Sequence, residues 1–252
     1  MPKISVIYKR GEENMKTVLV TGSSRGLGAS VIEYFASKGY NTIINYHSSK
    51  RCAEDLKEYI ENTYKVKAYV YKCDVSKEDE VKDLFNKIKN DIGNIDCLVN
   101  NAGISKDNSL ENKTSKEFME VIENNLLSTF LTCKYVKLIM DKGSIINVAS
   151  NNIYNGSYIE SIDYDASKAG IESLTHNFAK NYAPNIRVNS IAPGWIDTDM
   201  TSNIDSTFKN KEISKILLGR FASKEEIADA IYFLASNSYI NNTILKIDGG
   251  IK

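Results

Sequence analysis

Seven short apolar runs punctuate the chain: KTVLVTG, NTIINYH, KAYVYKCDV, IDCLVNNAG, SIINVAS, IRVNSIAPG and ILKIDGG. Each is short and bounded by turn formers, and each predicts a strand. The gaps carry apolar residues at helical spacing. SKEDEVKDLFNKI predicts a helix that opens at Ser76, carries Glu78, Asp79 and Glu80 in its first turn and buries Val81, Leu84, Phe85 and Ile88. SKEEIADAIYFLAS predicts another, with Ile227, Ala230, Ile231 and Leu234 as its inner stripe, and a long helix is predicted from about Thr114 to Met140. Near-continuous apolar strands alternating with helices suit a parallel sheet covered on both faces. The predicted fold class is therefore α/β, doubly wound, with a seven-stranded parallel sheet flanked by helices.

Three prolines and no Gly/Ser-rich tract in 252 residues leave no linker, so residues 15–252 read as one domain and residues 1–14, ahead of Met15, as an N-terminal extension. No apolar run approaches the ~18 residues of a membrane span, and the first residues lack a signal peptide's apolar stretch. A cytoplasmic protein with no membrane partner is expected. The 32 basic and 32 acidic side chains cancel, which removes a net electrostatic reason to bind nucleic acid. Cys52, Cys73, Cys97 and Cys133 lie 21, 24 and 36 residues apart, and His47 and His176 are the only histidines. That spacing offers no metal site, and reduced thiols are expected.

The first strand runs directly into TGSSRGLG, which opens a helical pattern. Gly22, Gly26 and Gly28 at such a junction permit a tight turn, approach of backbone N–H groups to a pyrophosphate and close helix packing. At the end of the second strand, where dinucleotide folds place an acid on the adenosine ribose, Tyr46, His47 and Ser48 offer no carboxylate. Arg25, Lys50 and Arg51 lie where they can attract a 2′-phosphate, so NADP(H) is favoured over NAD(H).

TGSSRGLG, NNAG at residues 100–103, NVAS ending at Ser150, YDASK at residues 164–168 and PGWIDTDM follow one another in this order. From about Met15 to Ile251 the chain resembles the short-chain dehydrogenase/reductase family. The resemblance implies a Rossmann-like fold, a homotetramer, and oxidoreduction between a nicotinamide and a carbonyl or alcohol carbon. It implies Asn125, Ser150, Tyr164 and Lys168 as catalytic residues. It places the cofactor against Gly22, Ser24, Arg25, Gly26, Leu27 and Gly28, then Tyr46, His47 and Ser48, with Asp74 and Val75 at the adenine. Asn101, Ala102 and Gly103 fall under the ribose, Tyr164 and Lys168 at the nicotinamide ribose, and Pro193, Gly194, Ile196 and Thr198 around the carboxamide. Asn124 matches less well than Asn125, because the family's asparagine directly precedes the apolar position filled here by Leu126. An irregularity in the helix that bears it, holding a water for reprotonation, belongs to the same resemblance.

Carbonyl reduction needs a proton donor for the developing alkoxide, and Tyr164 can supply it. A free phenol has a pKa of about 10, so a cation that lowers it is expected in Lys168, one turn away on the same helix face. Ser150 can hold the carbonyl oxygen. Within the family the chain is most similar to 3-oxoacyl-[acyl-carrier-protein] reductases, with a substrate lid in TDMTSNIDSTFKNKEISKILLGRF. Two departures bear on the substrate. The arginine-bearing carrier-docking regions read IMDKGSIINV and KNYAPNIRV, with Asp141 intruding and only Lys142 and Arg187 as partial substitutes. Glu160 and Asp163, if they face the site mouth, suit a neutral or hydroxylated substrate. The readings are a thioester reductase, with an acyl carrier protein as a candidate partner, or an enzyme of a sugar, steroid or other small carbonyl. A non-catalytic NADP(H)-binding sensor or assembly subunit is the reading from another class.

Overall fold

The structure is a computed structural model in which residues 15–155, 158–198, 201 and 205–251 are described. The proposed extension at residues 1–14 lies outside them. Seven strands form one sheet: β1 (Thr17–Val20), β2 (Asn41–Tyr46), β3 (Ala68–Lys72), β4 (Cys97–Asn100), β5 (Gly143–Val148), β6 (Ile186–Pro193) and β7 (Ile244–Ile247). Every pairing is parallel, in the order β3-β2-β1-β4-β5-β6-β7. The helices are α1 (Gly26–Ser37), α2 (Lys50–Tyr64), α3 (Glu78–Asp91), α4 (Ser115–Ile122), α5 (Ser128–Tyr135), α6 (Asn152–Asn155), α7 (Ile162–Tyr182), α8 (Ser206–Lys215) and α9 (Lys224–Ser236).

Strand alternation splits the core in two. Val18, Val20, Ile44, Val99 and Ile146 point to one face, where Phe35 of α1, Ile60 of α2 and Ile231 of α9 cover them. Leu19, Ile43, Leu98, Ile145 and Val188 point to the other, against Phe85 of α3, Leu131 of α5 and Ala179 of α7. Because both faces are buried, even and odd positions are both apolar, which is why the strands read as unbroken runs. β1 lies between β2 and β4, so the chain winds away from it in both directions and leaves a crevice beyond the carboxyl ends of the strands.

Two predicted helices start or run differently. α3 begins at Glu78 with Lys77 at its N-cap, because both the N–H and hydroxyl of Ser76 donate to Asp74 Oδ1, at 3.0 and 2.7 Å, instead of capping the helix. Its four predicted core residues are buried. The predicted helix over residues 114–140 starts as expected, with a capping box between Thr114 and Glu117. A π-helical turn then occupies Glu123–Leu127 before α5, and a 3₁₀ turn ends the run at Val136–Leu138.

Candidate active site

The glycine turn is shaped by close backbone approach. Gly22 has φ +60°, and a Cβ there would lie 3.0 Å from Ala102 Cα. A Cβ on Gly28 would lie 2.7 Å from both Gly22 O and the Asn101 amide nitrogen. Gly26, also at φ +60°, has open space on its Cβ side, so its requirement is conformational. The Asn101 side chain donates to Thr21 O and Gly22 O at 3.0 and 3.2 Å, tying β4 to the turn. Arg25, at the N-cap of α1, is exposed, while Ser24 and Leu27 are half-buried. An open backbone turn at a helix N-terminus, with an exposed arginine, fits a dinucleotide's pyrophosphate and an additional phosphate.

Asn45, which the apolar reading of β2 passed over, organises this turn. Its Oδ1 accepts from Gly22 N at 2.9 Å, its amide donates to Cys73 O at 3.1 Å, and its backbone exchanges bonds with Ser23. The signal was a polar residue inside a buried strand, where an amide survives only with partners. The Tyr46 ring is buried in the core, so His47 and Ser48 are the exposed side chains after β2. Arg51 is exposed and 3.8 Å from Asp55. Asp74 is occupied by Ser76, and Val75 is buried.

The four expected reactive residues come from three elements at the carboxyl edge. Ser150 directly follows β5 and is 7% exposed. Tyr164 and Lys168 share one face of α7, with the Lys168 amine 5.4 Å from the Tyr164 ring centroid and donating to Val148 O at 2.7 Å. Asn125 is fully buried in the π turn, its amide bonded to both backbone groups of Ile104, at 2.8 and 3.0 Å, and to Ser167 Oγ at 3.0 Å. Asn124 instead donates back to Glu120 O. A Cβ on Gly103 would lie 3.1 Å from Asn125 Oδ1 and 3.7 Å from Lys168 Nζ, so β4, the π turn and α7 converge on this glycine. Ser167 is more than a spacer, since it also donates to Tyr164 O at 2.6 Å. Around β6, Pro193 O accepts from Asn151 N, Gly194 N donates to Ile247 O, Ile196 bridges to Ala222 and Thr198 N donates to Thr201 Oγ1.

Electrostatics here run opposite to the expected cation effect on the phenol. Burial pushes the Tyr164 phenol up to about 12, Asp165 and Asp107 add to the rise, and a hydrogen bond from Ser150 works against it. Burial brings the Lys168 amine down to about 8. The same burial penalises the phenolate and the ammonium. The phenol therefore holds its proton at neutral pH.

Two charged residues assigned to the substrate side are committed to partners within the chain. Asp163 is fully buried and paired with Lys113, itself 4% exposed, at 2.9 Å. Arg187 spends its guanidinium on the carbonyls of Leu234 and Ala235 in the last turn of α9 and of Ile240 just beyond it. Lys142 and Glu160 are exposed. Trp195 stacks on Phe221 at 5.5 Å and, with Tyr158 and Phe208, packs α8 against the loops after β5 and β6. Residues 199–200 and 202–204 of the expected lid lie outside the described residues.

A family profile described as "Enoyl-(Acyl carrier protein) reductase" matches residues 22–252. The chain is 38% identical over 242 residues to the 3-oxoacyl-[acyl-carrier-protein] reductase FabG of Aquifex aeolicus, covering 94% of this chain and 97% of that protein. It is 38% identical over 244 residues to carbonyl reductase family member 4 of Xenopus laevis, covering 94% and 98%. A doubly substituted short-chain dehydrogenase/reductase from Serratia marcescens superposes with a TM-score of 0.88 at 28% identity, covering 93% of this chain and 97% of that one. The chain belongs to the short-chain dehydrogenase/reductase family. It is an oxidoreductase of a family that works with a nicotinamide cofactor. Among the described residues there is no cluster of three or more His, Cys, Asp or Glu able to hold a metal, and no helix is long and apolar enough to cross a membrane.

Proposed function

We propose that this short-chain dehydrogenase/reductase is an NADP(H)-dependent carbonyl reductase acting on a 3-oxoacyl thioester. The observation that carries the reading is the half-buried Tyr164 phenol, protonated at neutral pH, with the Lys168 amine 5.4 Å from its ring. A nicotinamide cofactor held through its pyrophosphate at the glycine turn would supply the hydride. Ser150 holds the carbonyl oxygen by its hydroxyl, and Tyr164 gives the oxygen its proton as charge develops there. Lys168, still cationic below about pH 8, stabilises the phenolate left behind. Asn125 grips Ile104 and Ser167 so that the lysine stays aligned and reprotonation has a fixed polar route.

Arg25, exposed at the start of α1 beside a second strand end lacking a carboxylate, supports NADP(H) over NAD(H). With Arg187 occupied, carrier-protein docking rests on Lys142 of the two expected cations, so a thioester on a small carrier is the better first substrate. The sealed Asp163 also weakens the case for an acid-lined sugar site. An intact reactive quartet favours an enzyme over a sensor or assembly subunit. Exposed Met119, Leu127, Phe130 and Ile162 suit burial in the proposed homotetramer, and the buried thiols of Cys73, Cys97 and Cys133 suit a reducing cytoplasm.

The test is NADPH consumption with an acetoacetyl thioester beside sugar, steroid and small diketone carbonyls, repeated with NADH. The thioester should be reduced fastest and NADPH preferred by at least about tenfold in kcat/KM, or roughly 1.4 kcal/mol. NADPH binding without turnover of any carbonyl would sink the enzyme reading.

A further inference from the structure

The segment after β4 is fastened at both ends. Near its start, Ile104 is held through its N–H and its carbonyl by Asn125. Near its end, the Lys113 amine donates to Asp163 Oδ2 at 2.9 Å and to the Lys106 carbonyl. Between them, Asn108 N donates to Glu160 O at 3.1 Å. The Asp163 carboxylate is shared: its other oxygen accepts from the backbone N–H of Tyr164 at 2.9 Å. One buried carboxylate thus joins Lys113 to the peptide of the proton donor. Exposed ion pairs fasten little, but this pair is dry, 4% and 0% exposed, and hydrogen-bonded on both sides.

We propose that Lys113 and Asp163 are positioning residues for proton transfer, a buried ion pair that locks the first turn of α7 to the segment after β4 and so fixes where Tyr164 presents its hydroxyl. The proposal rests on the reductase reading above. The charged groups near Asp163 are accounted for as follows. Lys113 is bonded to it, Lys106 is paired with Glu120, and Glu117 bonds Asn108. Asp107 and Asp165 are further acids acting on Tyr164, Glu160 is exposed in the preceding turn, and Lys168 is bonded to Val148 O. No second cation is bonded to Asp163 among the described residues.

Removing the lysine leaves a carboxylate in a dry site, where the protonated form is favoured. That gives a signature in the sign of a pH effect. In Lys113→Met the tie to the segment after β4 is gone, and an ionised carboxylate is left without its cation. The variant's kcat should lie at least about tenfold below the parent's at neutral pH and fall further as pH rises, beyond any fall in the parent protein, measured well below its Tm with the carbonyl best reduced by the parent. The double variant Lys113→Met/Asp163→Asn has no group to ionise there and keeps an acceptor for the Tyr164 N–H. Its extra pH dependence should vanish, while its kcat stays below the parent's at every pH because the ion pair is gone. Lys113→Gln, which keeps the hydrogen bonds without the charge, serves as the second variant if the methionine fails to fold and should show the same pH signature.

A substrate-free measurement separates this proposal from the reductase reading. The Tyr164 phenol can be titrated by ultraviolet difference against Tyr164→Phe in each background. The uncompensated carboxylate should raise that titration in Lys113→Met or Lys113→Gln, even if no carbonyl is ever turned over. A lowered Tm with an unchanged pH–kcat profile and an unchanged phenol titration would make the pair structural only and overturn the proposal.

Discussion

The glycine turn between β1 and α1 and the first turns of α7 both stand at the carboxyl edge of the same sheet, yet they are built by different means. The turn is made of backbone: two glycines at φ +60° and one where a Cβ would strike Gly22 O, with Asn45 and Asn101 holding its amide and carbonyl groups. The start of α7 is made of buried side chains: Lys168, Asp163, Lys113, Asn125 and Ser167, every one of them hydrogen-bonded. A backbone site can accept any dinucleotide of the right shape, because main-chain N–H groups are always there. A site that must move a proton needs ionisable groups, and those must be desolvated and held.

Four measurements test that contrast. The largest effect belongs to Tyr164→Phe, which should lower kcat by roughly 10²–10⁴-fold while NADPH still binds the turn in a fluorescence titration. Loss of NADPH binding would show that the two regions are not separable.

Lys168→Met should also abolish efficient reduction, yet it should stabilise the protein. The amine's folded value near 8 lies below its ordinary 10.5, so between about pH 8 and 10.5 the unfolded chain binds more protons than the folded one. The burden of the buried cation is therefore fully present below about pH 8 and fades as pH rises towards 10.5. Removing the charge at pH 7 should add on the order of 2–3 kcal/mol and raise Tm by roughly 5 °C, a gain that shrinks in alkali. A lower Tm at pH 7 would mean that the bond to Val148 O outweighs desolvation.

Gly28→Ala should damage the other region. The new methyl meets backbone at 2.7 and 2.8 Å and forces the turn open, which should cost about 1–3 kcal/mol in denaturant unfolding and weaken NADPH binding. The phenol titration of Tyr164 should not change. Smallest is Arg25→Glu, expected to lower kcat/KM with NADPH by about tenfold and leave NADH nearly unaffected, since an exposed charge contributes little beyond about 1.4 kcal/mol. Equal losses with both cofactors would remove Arg25 from 2′-phosphate recognition.

Much of the fold is legible in the sequence because the forces that make it are local. Seven apolar runs became seven parallel strands, since burial on both faces writes itself into consecutive residues. Gly22, Gly26 and Gly28 announce their turn because only glycine tolerates those positions. Tyr164 and Lys168 meet because four residues make one helical turn. The π turn at Glu123–Leu127 is different: it has no periodic signature of its own, and only the family resemblance pointed to an irregularity at Asn125.

The sheet, the glycine turn and the Tyr164–Lys168 pair follow from spacing along single elements and can be read from the chain. Which charges are buried and which stay at the surface was settled by packing between distant elements. Lys113 and Asp163 are 50 positions apart, and Arg187 meets carbonyls at least 47 positions away. A charge written on a sequence looks the same in solvent as in the interior. Desolvation by the packed elements around it sealed Asp163, raised the Tyr164 phenol and lowered the Lys168 amine, while half-buried Arg187 was taken up by backbone carbonyls.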